Sequence, residues 1–252
     1  MARIENGGVT LAYDDIGSGE CIVLIHGFAS NRNENWRRVG WYGAIERKRM
    51  RLLAMDTRGH GESAKPHDSQ MYKSAALVSD VIALMGHAGV SRAHVIGYSM
   101  GARTALATAL AHPGRVNHLV IGGIGDKLFD PPMPGHPMTD AMLAESPDDI
   151  SEPLLRSFRH FADEQGEDRK ALAACTAGLD FRFTPDALST LRASTLVVAG
   201  ARDALAGSAQ GLADVISGAR AITLPGCDHF SAIPHALFKA SVFDFLDDAL
   251  DF

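Results

Sequence analysis

The stretch HVIGYSMGAR, residues 94–103, decides how this chain is to be read. An apolar run ends at Gly97, a serine stands at 99, and a second glycine at 101 precedes an Ala- and Leu-rich segment. This is a G-x-S-x-G pattern placed where a buried strand gives way to a helix. A serine at the tip of so sharp a turn takes unfavourable backbone dihedrals, and its neighbours must be small to avoid collision. Gly97 and Gly101 supply that room, and a helix beginning near Met100 aims the positive end of its dipole at Ser99. The plainer alternative is a serine that merely caps a helix beside flexible glycines. The strand before and the helix after favour a positioned nucleophile.

Outward from Ser99, short aliphatic runs alternate with longer amphipathic stretches. CIVLIHGF (21–28), MRLLAMD (50–56), AHVIGYS (93–99), VNHLVIGG (116–123) and STLVVAG (194–200) read as strands, with AITLPG (221–226) a shorter one. Most are almost wholly apolar, as expected for parallel strands covered on both faces. Between them, SAALVSDVIALMGHAG puts Leu77, Val78, Val81, Leu84 and Met85 on one helical face. PHALFKASVFDFLDDAL gives a long C-terminal helix, and VTLAYDDIGSGE reads as an antiparallel edge strand and a turn. Repeated strand–helix alternation predicts a parallel sheet with right-handed crossovers. Residues 126–193 interrupt the alternation. They open on the turn-rich DPPMPGHP, contain no convincing strand and are too long for a simple crossover. They are expected to form a helical insertion over the sheet, inserted in a core of residues 1–125 and 194–252.

The composition bounds the possibilities. With 252 residues and a net charge of −6, the chain can bury a sizeable core and offers no broad attraction to phosphate backbones or anionic lipid. Nucleic-acid and membrane partners are not expected. No stretch approaches the ~18 apolar residues of a membrane span, and MARIENGGVTLAYDD lacks the apolar core of a signal peptide. Cys21, Cys175 and Cys227 are odd in number and far apart, which predicts free thiols in a reducing cytoplasm rather than a disulfide framework. Cys227 and His229 lie two residues apart, but no second cluster completes a metal shell, so no metal is expected.

Ligands of open parallel sheets bind beyond the carboxyl ends of the strands. Four such ends carry chemistry. Ser99 is the first. The HGFASN loop (26–31) is the second, where the Phe28 amide, with that of Met100, can face a developing oxyanion. His26 reads as an organiser of that loop rather than a catalytic base. Asp203 in VVAGARDALAG and His229 in LPGCDHFSAIPH are the third and fourth, and the three polar residues follow the chain order Ser…Asp…His.

Together HGF, DTRGHGES, GYSMG, GARD and DHF, in this order and spacing, resemble an α/β-hydrolase fold protein from about Val9 onward. The resemblance implies a mostly parallel twisted sheet of about eight strands flanked by helices, with a small helical cap at 126–193. It implies Ser99 as nucleophile, His229 as general base and acid, Asp203 as its orienter, and Phe28 and Met100 as oxyanion amides. Asp126 in IGGIGDKLF is a rival acid, since some relatives take theirs from that position; the GARD context favours Asp203. DTRGHGES (56–63) reads as a structural loop.

The expected activity is hydrolysis of a carboxylic ester or related acyl substrate through an acyl-enzyme, without metal or organic cofactor. A lactonase, thioesterase, C–C bond hydrolase or cofactor-free haloperoxidase-like enzyme would use the same triad. A non-catalytic protein that binds a small ligand and retains the fold is the alternative from another class. The expected pocket walls are Phe28, Trp36, Trp41 and Met100, with Phe129, Met133, Met138, Met142, Phe158 and Phe161 from the insertion, an apolar site with an adaptable methionine component. Arg32, Arg37 and Arg38 are read as a solvated loop, with a substrate carboxylate as their other possible partner. Oligomeric state and physiological substrate are not legible.

Overall fold

The structure, a computed structural model, describes residues 2–131 and 136–247. Its first two strands, β1 (Ala2–Asn6) and β2 (Val9–Ile16), form an antiparallel hairpin. Gly7 and Gly8 turn it with φ of +56° and +76°, the left-handed pair a two-residue hairpin loop demands. The edge is therefore β1, with β2 one strand inward, which corrects the expectation that VTLAYDDI lies at the edge. β1 carries one fully apolar inward residue, Ile4, so its alternation is faint in the sequence.

β3 (Cys21–Ile25), α1 (Trp41–Arg47), β4 (Arg51–Met55), α2 (Ser74–His87), β5 (Ala93–Tyr98), α3 (Met100–Ala111) and β6 (Val116–Gly122) follow. Between β6 and the next strand come α4 (Pro137–Leu143), α5 (Pro153–Glu164), α6 (Arg169–Gly178) and the short α7 (Pro185–Ser189). The chain then forms β7 (Ser194–Gly200), α8 (Ala209–Ala213), β8 (Arg220–Leu224) and α9 (Ala236–Leu246). The eight strands make one sheet in the order β1-β2-β4-β3-β5-β6-β7-β8, parallel from β4 onward.

The near-continuous apolar strands are explained by two cores. Val23 and Ile25 of β3 join the cluster under α2 and α3, while Ile22 and Leu24 join the opposite cluster with Trp41, Phe238 and Val242. Successive side chains point to opposite faces, so a strand covered on both has no polar face to show. Leu77, Val78, Val81, Leu84 and Met85 of α2 are all buried.

A third cluster seats the helices between β6 and β7 over the carboxyl ends of the strands. Met142 of α4, Phe158 and Ala162 of α5, and Leu172 and Cys175 of α6 pack there on Phe28 and Met100. The buried Arg159 of α5 ties these helices together, donating to the carbonyls of Ala141 and Ala144 at 3.1 and 2.7 Å and pairing with Asp163 at 3.0 Å. Leu128, Leu188, Leu191 and Ala193 instead pack with the main core. The segment of the insertion that covers the strand ends thus runs from α4 to α6.

Candidate active site

The sheet order sets the site. β4 lies on one side of β3 and β5 on the other, so the chain reverses its direction of travel across the sheet between β3 and β5. Such a switch point opens a crevice at the strands' carboxyl ends, and the loops after β3 and β5 carry Phe28 and Ser99.

Ser99 has φ +53° and ψ −112°, a strained conformation for a residue with a side chain. The glycines around it leave no space for anything larger. A Cβ on Gly97 would lie 2.2 Å from the Gly101 carbonyl oxygen, and one on Gly101 would lie 2.2 Å from that of Ile25. The bend is clamped between α3 and the end of β3. Met100 is the first residue of α3, and first-turn amides have no acceptor within their own helix.

Opposite the bend, His229 Nε2 lies 3.0 Å from Ser99 Oγ, and His229 Nδ1 lies 2.8 Å from Asp203 Oδ2. A carboxylate only accepts, so Nδ1 carries the proton and Nε2 is left to accept from the Ser99 hydroxyl. The second Asp203 oxygen accepts from the amides of Leu205 and Ala206, both at 3.0 Å, which fixes the carboxylate. Both Asp203 and His229 are buried. The Tyr98 hydroxyl donates to the His229 carbonyl and holds the histidine loop to β5. Asp126 faces elsewhere. It is exposed and accepts from the Ser208 amide at 2.8 Å.

The loop after β3 is held by buried histidine. His26 Nε2 accepts from the Thr57 amide at 3.0 Å, so its Nδ1 donates to the Gly27 carbonyl at 2.8 Å. Burial lowers the His26 pKa to about 4 and that of neighbouring His60 to about 3, so both stay neutral. The rest of DTRGHGES is pinned as well. Asp56 accepts from the Arg32 and Glu62 amides at 2.7 and 2.8 Å, and Arg58 pairs with buried Asp80 at 2.7 Å. Arg32 is no solvated residue: it is buried and pairs with Asp14, Asp56 and Glu62. Arg37 pairs with Asp14 at 2.9 Å and Arg38 with Glu34 at 2.8 Å. A wide polar cleft runs along Asp14, Arg32, Glu62 and Glu167, apart from Ser99, with its charges largely set against one another.

The cavity above Ser99 is apolar and small, about 30 Å³. Phe28, Phe158 and Phe161 line it. Trp36 and Trp41 do not. The turn at Asn33–Arg37 sends Trp36 into the core on the far face of the sheet, where it meets Trp41 edge to face at 5.5 Å. Trp41 supports the cavity from behind, its Nε1 donating to the Ile233 carbonyl at 3.1 Å. Phe129 packs against the main core, and Met138 and Met142 against the cluster under the insertion. Met133 lies outside the described residues. Among those described, the wall is aromatic rather than thioether: Phe158 stands 6.0 Å from Phe28 and 5.3 Å from Phe230 between ring centres.

The sequence reading missed Phe230, Ile233, Tyr98 and Asn35, all of which line the cavity. Phe230 directly follows His229, and that adjacency was a usable signal. Asn35 carried none. It is buried, its Oδ1 accepts from the Gly27 amide at 3.1 Å, and its Nδ2 has no hydrogen-bond partner among the described residues.

Comparison with known proteins agrees with this architecture. A family model described as alpha/beta hydrolase fold matches residues 20–152. The chain belongs to the α/β-hydrolase fold family. The 2-hydroxymuconate semialdehyde hydrolase of Pseudomonas sp. (strain CF600) is 28% identical, over 96% of this chain and 92% of its own length. A hydrolase from Pseudomonas aeruginosa PA01 superposes with a TM-score of 0.79 at 26% identity, covering 97% of both chains. Other matches are partial. Bifunctional epoxide hydrolase 2 of Sus scrofa is 31% identical over 54% of this chain but only 23% of its own. Across the first three curated relatives the match spans 23%, 34% and 38% of their lengths. No described helix is long and apolar enough to cross a membrane.

Proposed function

We propose that this α/β-hydrolase is a serine hydrolase that cleaves a carboxylic ester through an acyl-enzyme on Ser99. The observation that carries the reading is the continuous relay from Asp203 to His229 to Ser99, with contacts of 2.8 and 3.0 Å, beneath a small apolar cavity. Ser99 Oγ attacks the ester carbonyl carbon while its proton passes to His229 Nε2, and Asp203 stabilises the imidazolium so formed. The amides of Phe28 and Met100 receive the oxyanion, each such donor contributing about 3–4 kcal/mol. His229 then protonates the leaving alcohol oxygen as its bond to the acyl carbon breaks. Water, deprotonated by His229, attacks the acyl-enzyme and releases the acid.

The helices α4–α6 act as the cap that shapes the acyl and alcohol sites, with Phe158 and Phe161 as its contribution to the wall. The insertion of residues 126–193 carries this cap between the core segments 1–125 and 194–252, its two ends packing on the core through Leu128 and Leu188. The apolar lining favours an uncharged substrate. The three free, buried cysteines fit a reducing, cytoplasmic setting.

The test is labelling by a fluorophosphonate combined with hydrolysis of short p-nitrophenyl esters. The wild type labels at Ser99 and turns over, and Ser99→Ala does neither. Lactones and thioesters assayed beside the esters rank the remaining acyl substrates. If Ser99 fails to label and no acyl substrate turns over while a ligand still binds, the fold serves as a binding module and the proposal fails.

A further inference from the structure

The cavity over Ser99 is too small for most acyl groups. Its volume of about 30 Å³ holds roughly two or three groups the size of a water molecule, each of which takes ~10–15 Å³. The described wall is almost wholly apolar: Ser30 and Asn35 line it but lend it next to no polar surface. What enters is therefore limited by shape rather than sorted by hydrogen bonds. One ring closes most of the space. Phe158 of α5 is 5% exposed, and its ring centre stands 6.0 Å from that of Phe28, 5.3 Å from Phe230 and 6.2 Å from His229. It thus bridges the loop after β3 and the loop after β8 directly over the nucleophile.

That ring is not free to back away. The next residue, Arg159, is buried and fastens α5 to α4 through the carbonyls of Ala141 and Ala144. The loop from α5 to α6 is fastened to the core. Glu167 accepts from the Gly61 amide at 3.0 Å and from Asn31 Nδ2 at 3.3 Å, and His67 Nε2 donates to Asp168 at 2.9 Å. Past α6, Asp180 accepts from the Ser74 amide at the start of α2, at 2.8 Å. The two ends of the cavity differ in the same way. The leaving oxygen takes its proton from His229, so the alcohol lies beside the histidine loop, where Phe230 is 37% exposed and Phe161 half-buried. The acyl chain then points away from this rim, toward Phe28, Ser30 and Phe158, all buried.

We propose that Phe158 sets an upper limit on the acyl group of about two or three carbons, so that the enzyme takes acetyl and propionyl esters and accepts longer chains only on the alcohol side. This rests on the serine-hydrolase reading above and narrows its substrate class. The acyl methyl or ethyl group fills the space beneath the Phe158 ring, and the alcohol leaves past Phe161 and Phe230. A longer acyl chain meets a ring held by a helix that is tied on both sides.

The experiment compares hexyl acetate with ethyl hexanoate, two isomers with the same atoms and the same apolar content that differ in which side of the ester carries the long chain. Each kcat/KM is divided by the ester's own hydroxide-catalysed rate in buffer, which removes intrinsic reactivity. The wild type is expected to favour hexyl acetate at least about tenfold, the lower end of what one methylene without room costs in a packed pocket. Phe158→Ala removes the ring and loses most of that preference; Phe158→Leu, the milder change, loses part of it. A general loosening of the fold would lower both rates together and leave the ratio alone. A wild-type ratio near one means that the helices part to admit the chain, and a ratio below one puts the alcohol in the closed end. Either overturns the proposal whether or not a variant folds, and so does a wild-type ratio retained in both folded variants. A wild type that hydrolyses p-nitrophenyl acetate but neither isomer overturns the acyl-size limit alone. One that hydrolyses no ester and is not labelled by a fluorophosphonate overturns the serine-hydrolase reading, and the assignment of Phe158 with it.

Discussion

Replacing Gly101 by alanine tests the idea that the serine bend is set by contact between α3 and the end of β3. The added methyl carbon would lie 2.2 Å from the Ile25 carbonyl oxygen and 2.5 Å from that of His26, where ordinary contact begins at 3.4 Å. Neither obstacle is the free end of a side chain; both are backbone at the end of a fully buried strand. The helix must therefore back away from β3 by about an ångström, which in a packed core costs about 1–3 kcal/mol of stability. Ser99 leads into that helix, and the Phe28 amide belongs to the loop that leaves β3, so the shift separates the proposed nucleophile from one of its proposed oxyanion donors. A misplacement of about 1 Å between reacting groups costs on the order of 100-fold in rate. The assay is the single-turnover acylation rate on a p-nitrophenyl ester, with thermal unfolding measured on the same sample. Gly86→Ala in α2 is the control, since a Cβ there meets nothing within 4 Å. It should add about 0.5–1 kcal/mol of stability and leave the rate alone. A folded Gly101→Ala protein that acylates at the wild-type rate would refute the clamp.

Three further outcomes follow from buried charge around the site. Asp203→Asn should cut kcat by about 10⁴, as loss of the correct histidine tautomer does in a triad, whereas Asp126→Asn, remote from His229, should leave kcat within about twofold; the reverse pattern in steady-state assays would move the acid to Asp126. Glu167, in the loop between α5 and α6, is buried against the Gly61 amide at 3.0 Å, and burial raises its carboxyl pKa. A raised carboxyl pKa means the ionised form weighs against folding above that pKa and the cost fades as pH falls through it. Glu167→Gln should therefore melt above the wild type at pH 8 and lose the advantage by acidic pH; a variant less stable at pH 8 contradicts this. His26 has the opposite sign. Its pKa is lowered to about 4, so the unfolded chain binds its proton first, and stability present above pH ~6.5 drains away down to pH ~4. At ~1.4 kcal/mol per pH unit the loss is about 3 kcal/mol, and urea unfolding of His26→Gln between pH 7 and 4 should lack it, with an unchanged pH slope counting against the assignment.

What was legible in the sequence was whatever depends on local backbone geometry. Gly97 and Gly101 announce the bend because only a missing Cβ fits a backbone at 2.2 Å, and that need is written at fixed offsets from Ser99. Asp203 and His229 are legible for a related reason, since each sits just past a strand whose apolar run shows where it ends. Alternation alone did not reveal β1, because a five-residue strand with one buried anchor at Ile4 carries too weak a period.

The cavity wall failed for a deeper reason. Whether an aromatic side chain meets the substrate or the core depends on the direction of the turn that carries it, and residue type does not record that direction. Asn35 and Trp36 are adjacent in one turn, Asn35 lining the cavity over Ser99 and Trp36 packed in the far core. Composition favoured the tryptophan as the wall residue, and the fold put the asparagine there instead. The same turn inverts the meaning of Arg32, whose charge is consumed by Asp14, Asp56 and Glu62 rather than offered to a ligand. A polar side chain in such a turn acquires significance only when its partners are counted. Among the described residues, Asn35 has one neighbour for its oxygen and none for its nitrogen, in a cavity whose wall also holds Ser30, Ile233 and several aromatic rings.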